Sequence, residues 1–454
     1  MDNAKDIGKS FMGSEPLHTL LPRLALPMMV AQALSLLYNI ADRAFIGHIP
    51  DVGTAALAGV GVCFPVAGVI VAFANWAGMG AAPKAAMAIG AGDRQDAQAR
   101  LARTEWLLAV FAALLLVIVY AFMEPILTAL GCSTETLPYG MAYLRIFAIS
   151  IPLTLIVMGL NPFLLAQGDS RISMLALGAG NLLNVGLDYV LIFWMGMGVE
   201  GAAAASVISQ GVSAAMVVWG LVRRGSFFRL CIPRIPTPRQ AGDTLLMGSG
   251  PFFTQATEQV LYTAFNLILV TTGGDSYIAV YAVFVSVQML TMAMIMGFTQ
   301  GVQPVISYCL GAGLRHRAAR VIKVAVTVSV VLGAVLTLPS LVVPELYLQL
   351  FSSDPAMVEV GAQMLPIYNA GMMVFGAQIA IQSAFMACGK GVHPLIVASA
   401  RKLVFLIPIA LLLSWHMGAI GVFIAEPISD TLSVAFACIF FYFSTWRPLF
   451  RTQK

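Results

Sequence analysis

Charged side chains are scarce in this sequence of 454 residues. Only 10% of the residues are Asp, Glu, Lys or Arg, whereas a soluble domain carries about 25%. Apolar residues make up 59% of the chain, and the mean hydropathy is +0.88. So little polar surface could not cover the two or three soluble domains expected at this length. The formal net charge of +4 comes without a basic run, which argues against nucleic acid as a partner. The sequence predicts an integral membrane protein.

Residues that bind metals or form disulfides are also few. The six cysteines include no CxxC pair, and the five histidines form no HExxH motif or cluster. We therefore expect no disulfide framework, no zinc site and no cofactor. An intramembrane protease would need paired aspartates or a Ser/His arrangement, and every histidine lies at the edge of an apolar run. The enzyme class is disfavoured.

Long apolar runs are plentiful instead. About 20 apolar residues can cross the roughly 30 Å hydrocarbon core as a helix, and runs such as AVFAALLLVIVYAF lack the alternation of a β-barrel strand. The sequence predicts an all-α membrane protein with twelve transmembrane helices. The predicted spans are 20–47, 54–88, 104–123, 139–165, 171–194, 198–222, 244–271, 276–309, 320–343, 361–387, 394–415 and 418–445.

The positions of the basic residues orient these spans. If the N-terminus is cytoplasmic, 19 of the 25 Lys and Arg residues fall in cytoplasmic segments, and the six outer loops contain none. Such a bias is the positive-inside rule. It supports twelve spans with both termini in the cytoplasm.

The two halves of the chain resemble each other. Seven residues of segment 80–97 recur 221 positions later: Gly80, Pro83, Gly90, Ala91, Gly92, Arg94 and Ala97 return as Gly301, Pro304, Gly311, Ala312, Gly313, Arg315 and Ala318. Further matches near the starts and ends of the halves keep almost the same offset. We predict two pseudo-symmetric six-helix lobes, 1–222 and 244–454, joined by a cytoplasmic loop at 223–243. A parallel repeat of this kind is typical of transporters with a central cavity between two bundles.

A few polar residues lie within the predicted spans, where a charge is costly and is usually functional. Asp42 lies four residues after Tyr38, and Asp188 four residues after Asn184, so each pair shares a helix face. Asn161 and Ser206 lie in neighbouring spans. These side chains can form an oxygen site for a hard cation or a carboxylate pair that shares a proton. The simpler alternatives are a salt bridge between Asp42 and Arg43 and a structural hydrogen bond of Asn184 between helices.

With these residues the chain resembles the multidrug and toxic compound extrusion (MATE) family of secondary transporters, from Pro27 to Asp430. The resemblance implies two six-helix lobes and export of amphipathic, often cationic compounds in exchange for Na⁺ or H⁺. The residues that carry it are Pro27 as the hinge of the first helix, and Tyr38, Asp42, Asn161, Asn184, Asp188 and Ser206 as the coupling site; Na⁺ would bind at Asp42, Asp188 and Asn184. The family's threonine is replaced by Ser206.

The second half departs from the pattern of some branches of this family, which place carboxylates in the seventh and tenth helices. Glu258 is one residue closer to Pro251 than expected, and the tenth span contains only Asn369, Gln378 and Gln382. Four residues are candidates for the substrate cavity: Gln255, Glu258, Asn266 and Gln288. The methionine-rich segment 289–298 suits variable apolar ligands, or it simply fills the core or faces lipid. Glu426 and Asp430 are expected to serve helix packing or hydrogen bonding.

The family resemblance therefore implies a cation-coupled antiporter with cationic substrates, and we expect it to act as a monomer in a bacterial-type inner membrane. The runner-up is a lipid-linked or polysaccharide precursor flippase of the same superfamily. Flippases of that kind tend to line the cavity with several basic residues, and the basic residues near spans here lie mostly at span ends. A receptor is a third possibility, which no feature of the sequence favours.

Overall fold

The structure is a computed structural model that describes residues 11–50, 52–223, 225–228, 233–272, 275–349 and 355–451. Within these ranges only the backbone is described for residues 256, 258–272, 275–280, 282, 355–357, 360, 419 and 451. The described residues form helices joined by turns and short irregular segments, without a β-strand. The first six long helices are α1 (Leu17–Gly47), α2 (Gly53–Gly61 and Phe64–Gly90), α3 (Arg94–Ala121), α4 (Leu137–Ala166), α5 (Ser170–Trp194) and α6 (Gly198–Val222).

The second half repeats this order. Its helices are α7 (Pro238–Thr272), α8 (Asp275–Gly311), α9 (Arg315–Val342), α10 (Pro355–Asn369 and Met372–Ala387), α11 (Val392–Met417) and α12 (Ala419–Phe441, continued by Tyr442–Arg451). Eleven helices of the described chain are long and apolar enough to cross a membrane; the predicted seventh span lies on α7. The all-α architecture of twelve long helices agrees with the prediction. α7 begins at Pro238, inside the segment predicted as a loop, because Pro suits the first turn of a helix. The lobe boundaries themselves stay a prediction.

The two sets of helices meet in a symmetric way. α2 packs against α7, and α8 packs against α1. At one end of the bundle, which holds Arg94 and Arg315 and which we call the basic end, α2 and α8 approach each other closely at Gly90 and Gly311. A Cβ atom on Gly90 would collide with the Tyr308 carbonyl oxygen, and one on Gly311 with the Met87 carbonyl oxygen. These two glycines are repeat-related, so the duplicated motif forms the crossing of the two halves.

Other contacts also close the basic end. Lys84 of α2 forms an ion pair with Asp243 of α7 at 2.5 Å. The short helix Phe11–Ser14 lies under both halves, where Arg317 Nε donates a hydrogen bond to the Met12 carbonyl oxygen at 3.0 Å. The Met12 side chain is buried, and the start of α1 follows directly. The two halves are therefore held together at the basic end.

Trp76 contributes to the contact between α2 and α7. The sequence places it near the end of a span, where a Trp usually anchors the membrane interface. In the structure its ring stacks on Phe252 with centroids 4.3 Å apart, and its Nε1–H donates to the Leu245 carbonyl oxygen at 2.7 Å. The expectation of an interface anchor is wrong for Trp76, since both contacts reach the other half of the chain.

Replacing Trp76 with Phe should lower the thermal stability of the purified protein. The variant keeps an aromatic ring but loses the donor to Leu245, and a net hydrogen bond is worth about 1 kcal/mol. The midpoint of thermal unfolding in detergent measures this. Trp415→Phe is the matched control, because Trp415 is 86% exposed and the variant should unfold at the wild-type temperature. An unchanged midpoint for Trp76→Phe would contradict the contact.

Candidate functional site

Two buried carboxyl groups meet between α1 and α5. Asp42 lies five residues before α1 ends, and Asp188 is the last residue of α5 before a π-helical turn at Tyr189–Trp194. Their side chains lie close enough to interact electrostatically, and Asp42 is 3% exposed and Asp188 0%. Two carboxylates so close in a buried site repel each other unless a proton or a cation lies between them. A proton or a cation between the two groups would remove this repulsion.

Asn184 supports this pair from one helical turn earlier on α5. With its amide nitrogen facing Asp188, it donates to Asp188 Oδ2 at 2.8 Å. Its oxygen then accepts from the Ser206 backbone N–H at 3.1 Å and the Ser209 hydroxyl at 3.2 Å. The opposite amide orientation would set oxygen against the carboxylate. Asn184 thus does link helices, as its simpler alternative proposed, but one of its partners is the predicted site residue Asp188.

Two phenols complete the cluster. Tyr38 of α1, predicted from its spacing to Asp42, lies near both Asp42 and Ser206. Tyr143 of α4 occupies a similar position beside Asp42 and Ser206, and it is 4% exposed. The sequence did not single out Tyr143, although a tyrosine inside an apolar span was a signal. Phenol and hydroxyl oxygens can each accept from or donate to whatever lies between the carboxyls.

Arg43 does not neutralise Asp42 by a salt bridge in the described chain. Its guanidinium lies over the Phe64 ring, 4.7 Å from the centroid. Adjacent residues on a helix point apart, and the structure follows that expectation. The proposed pairing of Asp42 with Arg43 therefore gives way to the pairing with Asp188.

Asn161 is the predicted site residue that the described contacts do not join to the cluster. It is buried on α4, 7% exposed, and its Oδ1 has no hydrogen-bond partner among the described residues.

Pro27, the predicted hinge, lies inside α1, which runs unbroken from Leu17 to Gly47. Gly297 and Gly301 of α8 press on the α1 backbone on either side of Pro27: their Cβ atoms would come within 2.7 Å of Met29 Cα and 2.6 Å of Ala25 Cα.

A cavity of about 410 Å³ lies between α1 and the second half, in the part of the bundle remote from the basic end. Two of the four predicted cavity residues, Gln255 and Gln288, line it. The side chains of the other two, Glu258 and Asn266, lie outside the described residues. The remaining lining residues are Gln32, Ser35, Leu36, Asn39, Tyr281, Met289, Met292, Ala293, Met296, Tyr368, Phe375, Arg401 and Glu426.

This wall is apolar with a few polar groups, as small-molecule sites usually are. Three methionines of segment 289–298 line the cavity, so the ligand-facing interpretation of that segment fits better than lipid-facing filler. Gln32, Ser35, Leu36 and Asn39 recur at intervals of three and four, so they occupy one face of α1. Tyr38 and Asp42 occupy a neighbouring face. α1 thus stands between the cavity and the carboxyl pair and contributes side chains to both.

The far wall of the cavity contains a buried ion cluster. Glu426 and Asp430 form the hydrogen bonds expected of them, but their shared partner, Arg401, was not predicted. Arg401 of α11 binds two carboxylates of α12: Nη2 donates to Glu426 Oε1 at 2.7 Å, and Nε donates to Asp430 Oδ1 at 2.8 Å. The same guanidinium lies over the Phe375 ring, 4.5 Å from its centroid. The adjacent Lys402 is also buried and donates to Thr254 O and Thr257 Oγ1 of α7. The statement that basic residues lie mostly at span ends is therefore wrong for Arg401 and Lys402.

Among the described residues, no three His, Cys, Asp or Glu side chains group together as a metal site. The oxygens of Asp42, Asp188 and Asn184 suit a hard monovalent cation or a shared proton equally well.

In α10, which lacks an acid in its second segment, the amides serve helix packing: Asn369 donates to Ser340 Oγ at 3.1 Å, and Gln378 accepts from Ser433 at 2.5 Å.

Comparison with known proteins identifies related chains. The MatE family model matches this chain twice, over residues 27–190 and 251–412. The two matches begin 224 residues apart and end 222 apart, which agrees with the internal duplication. Relatives include "Multidrug export protein MepA" of Staphylococcus haemolyticus (27% identical, 92% of each chain) and "Probable multidrug resistance protein NorM" of Thermotoga maritima (26%, 93% of this chain and 92% of that one). A "FAD transporter" of Shewanella oneidensis is 24% identical over 94% of each chain.

Solved structures share the fold. One described as the outward-facing conformation of a multidrug resistance MATE family transporter superposes with a TM-score of 0.88 at 21% identity, over 98% of each chain. A second, of a MATE protein in the straight conformation, gives a TM-score of 0.89 at 20% identity, over 98% of each chain. At this identity the likeness establishes the architecture alone.

Proposed function

Because the chain belongs to the MatE family and is a multi-pass membrane transporter rather than an enzyme, we propose that it is a cation-coupled antiporter that exports amphipathic cations. The observation that carries the proposal is the buried Asp42–Asp188 pair, because Asp42 lies on α1, the helix that also lines the cavity. The names of the MepA and NorM relatives support multidrug export. No cofactor is needed, because the coupling ion, Na⁺ or H⁺, supplies the energy.

The coupling follows from the two faces of α1. When an ion enters between Asp42 and Asp188, their repulsion falls and the end of α1 draws towards α5. Gln32, Ser35 and Asn39 move with it, since they belong to the same helix. Pro27 lacks a backbone donor, so α1 bends there at low cost. Ion binding thus changes the cavity wall and weakens the hold on the substrate, and the substrate in turn weakens ion binding, since such coupling is reciprocal.

Alternating access provides the pathway. The basic end, closed in this structure, is the cytoplasmic end under the positive-inside rule, so the cavity belongs to the outer half of the membrane. Both termini are then cytoplasmic, and the protein lies in the plasma membrane as a monomer. Export requires the lobes to separate at the basic end and to close around the outer half of the cavity.

Dye efflux with exchanged gradients tests this function. In efflux-deficient cells or vesicles that contain the protein, an amphipathic cationic dye should leave against its gradient when a Na⁺ or a proton gradient is imposed, and stay when both are collapsed. A dependence on one ion alone identifies the coupling ion. If neither gradient moves any cationic dye, while a lipid-linked precursor or an anionic nucleotide crosses, the flippase or a transporter of anions replaces the proposal.

A further inference from the structure

The Arg401–Glu426–Asp430 cluster lies in the cavity wall on the side away from the coupling pair. One guanidinium serves two carboxylates, so the cluster carries a formal charge of −1. The three side chains are at most 7% exposed, and both Arg401 and Glu426 line the cavity, whereas Asp430 lies behind them and is fully buried. Among the described residues, the carboxylate that lines the cavity, Glu426, is therefore already paired with a positive group of the protein.

The two ion pairs of Arg401 use different nitrogens. Nε faces Asp430 and Nη2 faces Glu426. Both nitrogens lie on one edge of a planar, rigid group, so the guanidinium releases Glu426 and keeps Asp430 when it tilts in its own plane about the Nε–Asp430 contact. Phe375 supports the flat face of the guanidinium. The backbone at residues 400–406 is π-helical, a distortion common at functional sites, and Ser429 donates to the Arg401 carbonyl oxygen at 3.2 Å. These contacts hold the base of the side chain while its tip faces the cavity.

We propose that Glu426 is the subsite for the cationic group of the substrate and that Arg401 is a tethered competitor which occupies this subsite when the cavity is empty. A substrate cation takes Glu426 and leaves Arg401 with Asp430, and the cluster then becomes neutral together with its ligand. When the substrate leaves, Arg401 returns to Glu426. The Glu426 carboxylate is therefore never without a counter-charge in a site of low dielectric. Arg401 thus lowers the affinity and speeds release. The inference rests on the proposed function, since it assumes a cationic substrate.

The test is equilibrium binding of tetraphenylphosphonium to the purified full-length protein, with tetraphenylborate as an anion of the same shape. Removal of the competitor in Arg401→Gln should tighten tetraphenylphosphonium binding by at least about tenfold, since a like charge next to the site is gone. Tetraphenylborate binding should not tighten. Arg401→Lys keeps the charge and should bind close to wild type. In transport, Arg401→Gln should show a lower KM and a lower maximal rate, because release becomes slow.

Asp430→Asn is a second variant, for which the opposite change in cation affinity is expected. Without the Asp430 carboxylate, the ion pair of Arg401 with Glu426 should become stronger. The substrate cation should then bind Glu426 more weakly. This result supports the proposal even if Arg401→Gln does not fold. The proposal is overturned if Arg401→Gln binds tetraphenylphosphonium no more tightly, if both ions gain equally, or if Asp430→Asn binds the cation as well as wild type. Wild-type protein that binds no cation at all would instead contradict the proposed substrate class.

Discussion

The Asp42→Asn variant should lose gradient-driven efflux entirely, with dye retention equal to that of vesicles without the protein. Asparagine matches the shape of the carboxyl group and can keep hydrogen bonds to its neighbours, so the helices should pack as before. It cannot hold a negative charge or exchange a proton, and the pair with Asp188 then no longer attracts a cation. The measurement is dye efflux from energised vesicles at equal protein levels.

Two controls accompany this variant. Glu124→Gln removes an acid on the exposed surface of the short helix Met123–Ala129 and should export at the wild-type rate. Asp188→Asn should fail as Asp42→Asn does, because both carboxyls are needed. If Asp42→Asn retained full ion-driven efflux, the coupling site would have to lie elsewhere.

Substitution of Gly90 or Gly311 by Val should also stop transport, but for a mechanical reason. Each glycine lets one helix reach the backbone of the other, and a side chain would meet a carbonyl oxygen that cannot rotate away. Even ordinary overpacking costs about 1–3 kcal/mol, and here the obstacle is backbone. At the basic end, α2 and α8 should then stay apart, while each set of six helices remains folded.

Cross-linking across the basic end measures this closure. A cysteine pair placed on the first turns of α3 and α9, at Gln95 and His316, should react with a bifunctional thiol reagent readily in the parent protein and poorly in Gly311→Val. Gly68→Val on α2 is the matched control, because no heavy atom lies within 4 Å of the position its Cβ would take. Equal cross-linking in Gly311→Val and the control would show that the glycine contact does not govern closure.

The N-terminal half of the site was predictable from sequence because its signals are local. Tyr38 with Asp42 and Asn184 with Asp188 lie one helical turn apart within apolar spans, and a buried acid in such a span needs a partner. Their spacing placed each pair on one face, and the structure brings the two faces together. Asn161 fits the same pattern in sequence but lacks a described contact with the cluster, since spacing along the chain does not fix how far one helix turns against another.

The ion cluster could not be predicted in this way. Arg401 lies 25 residues from Glu426 and 29 from Asp430, on a different helix, and no periodic pattern connects the three. Their meeting depends on the rotation of α11, which its π-helical segment alters. The cavity face of α1 was missed for a similar reason: Gln32 and Asn39 are uncharged, and only the position of α8 opposite them identifies the face as a wall.

The internal repeat indicated where the two halves contact each other, which no single residue of the motif indicated. Gly90 and Gly311 were noted only as members of a duplicated motif, and the structure shows that the copies contact each other. A pseudo-twofold arrangement places equivalent positions near the axis side by side, so a small residue there serves both copies. Sequence similarity between halves therefore pointed to the contact surface, although not to the pairs of atoms in it.

Ion release on substrate binding tests the central claim most directly. The claim is that the Asp42–Asp188 pair and the cavity exclude simultaneous tight binding of ion and substrate. Tetraphenylphosphonium added to the purified wild-type protein in weakly buffered solution should release the ion that drives efflux, as protons seen by a pH indicator or as labelled Na⁺, and Asp42→Asn should release neither. Substrate binding that releases no ion from wild type, or equal release from Asp42→Asn, would contradict the account.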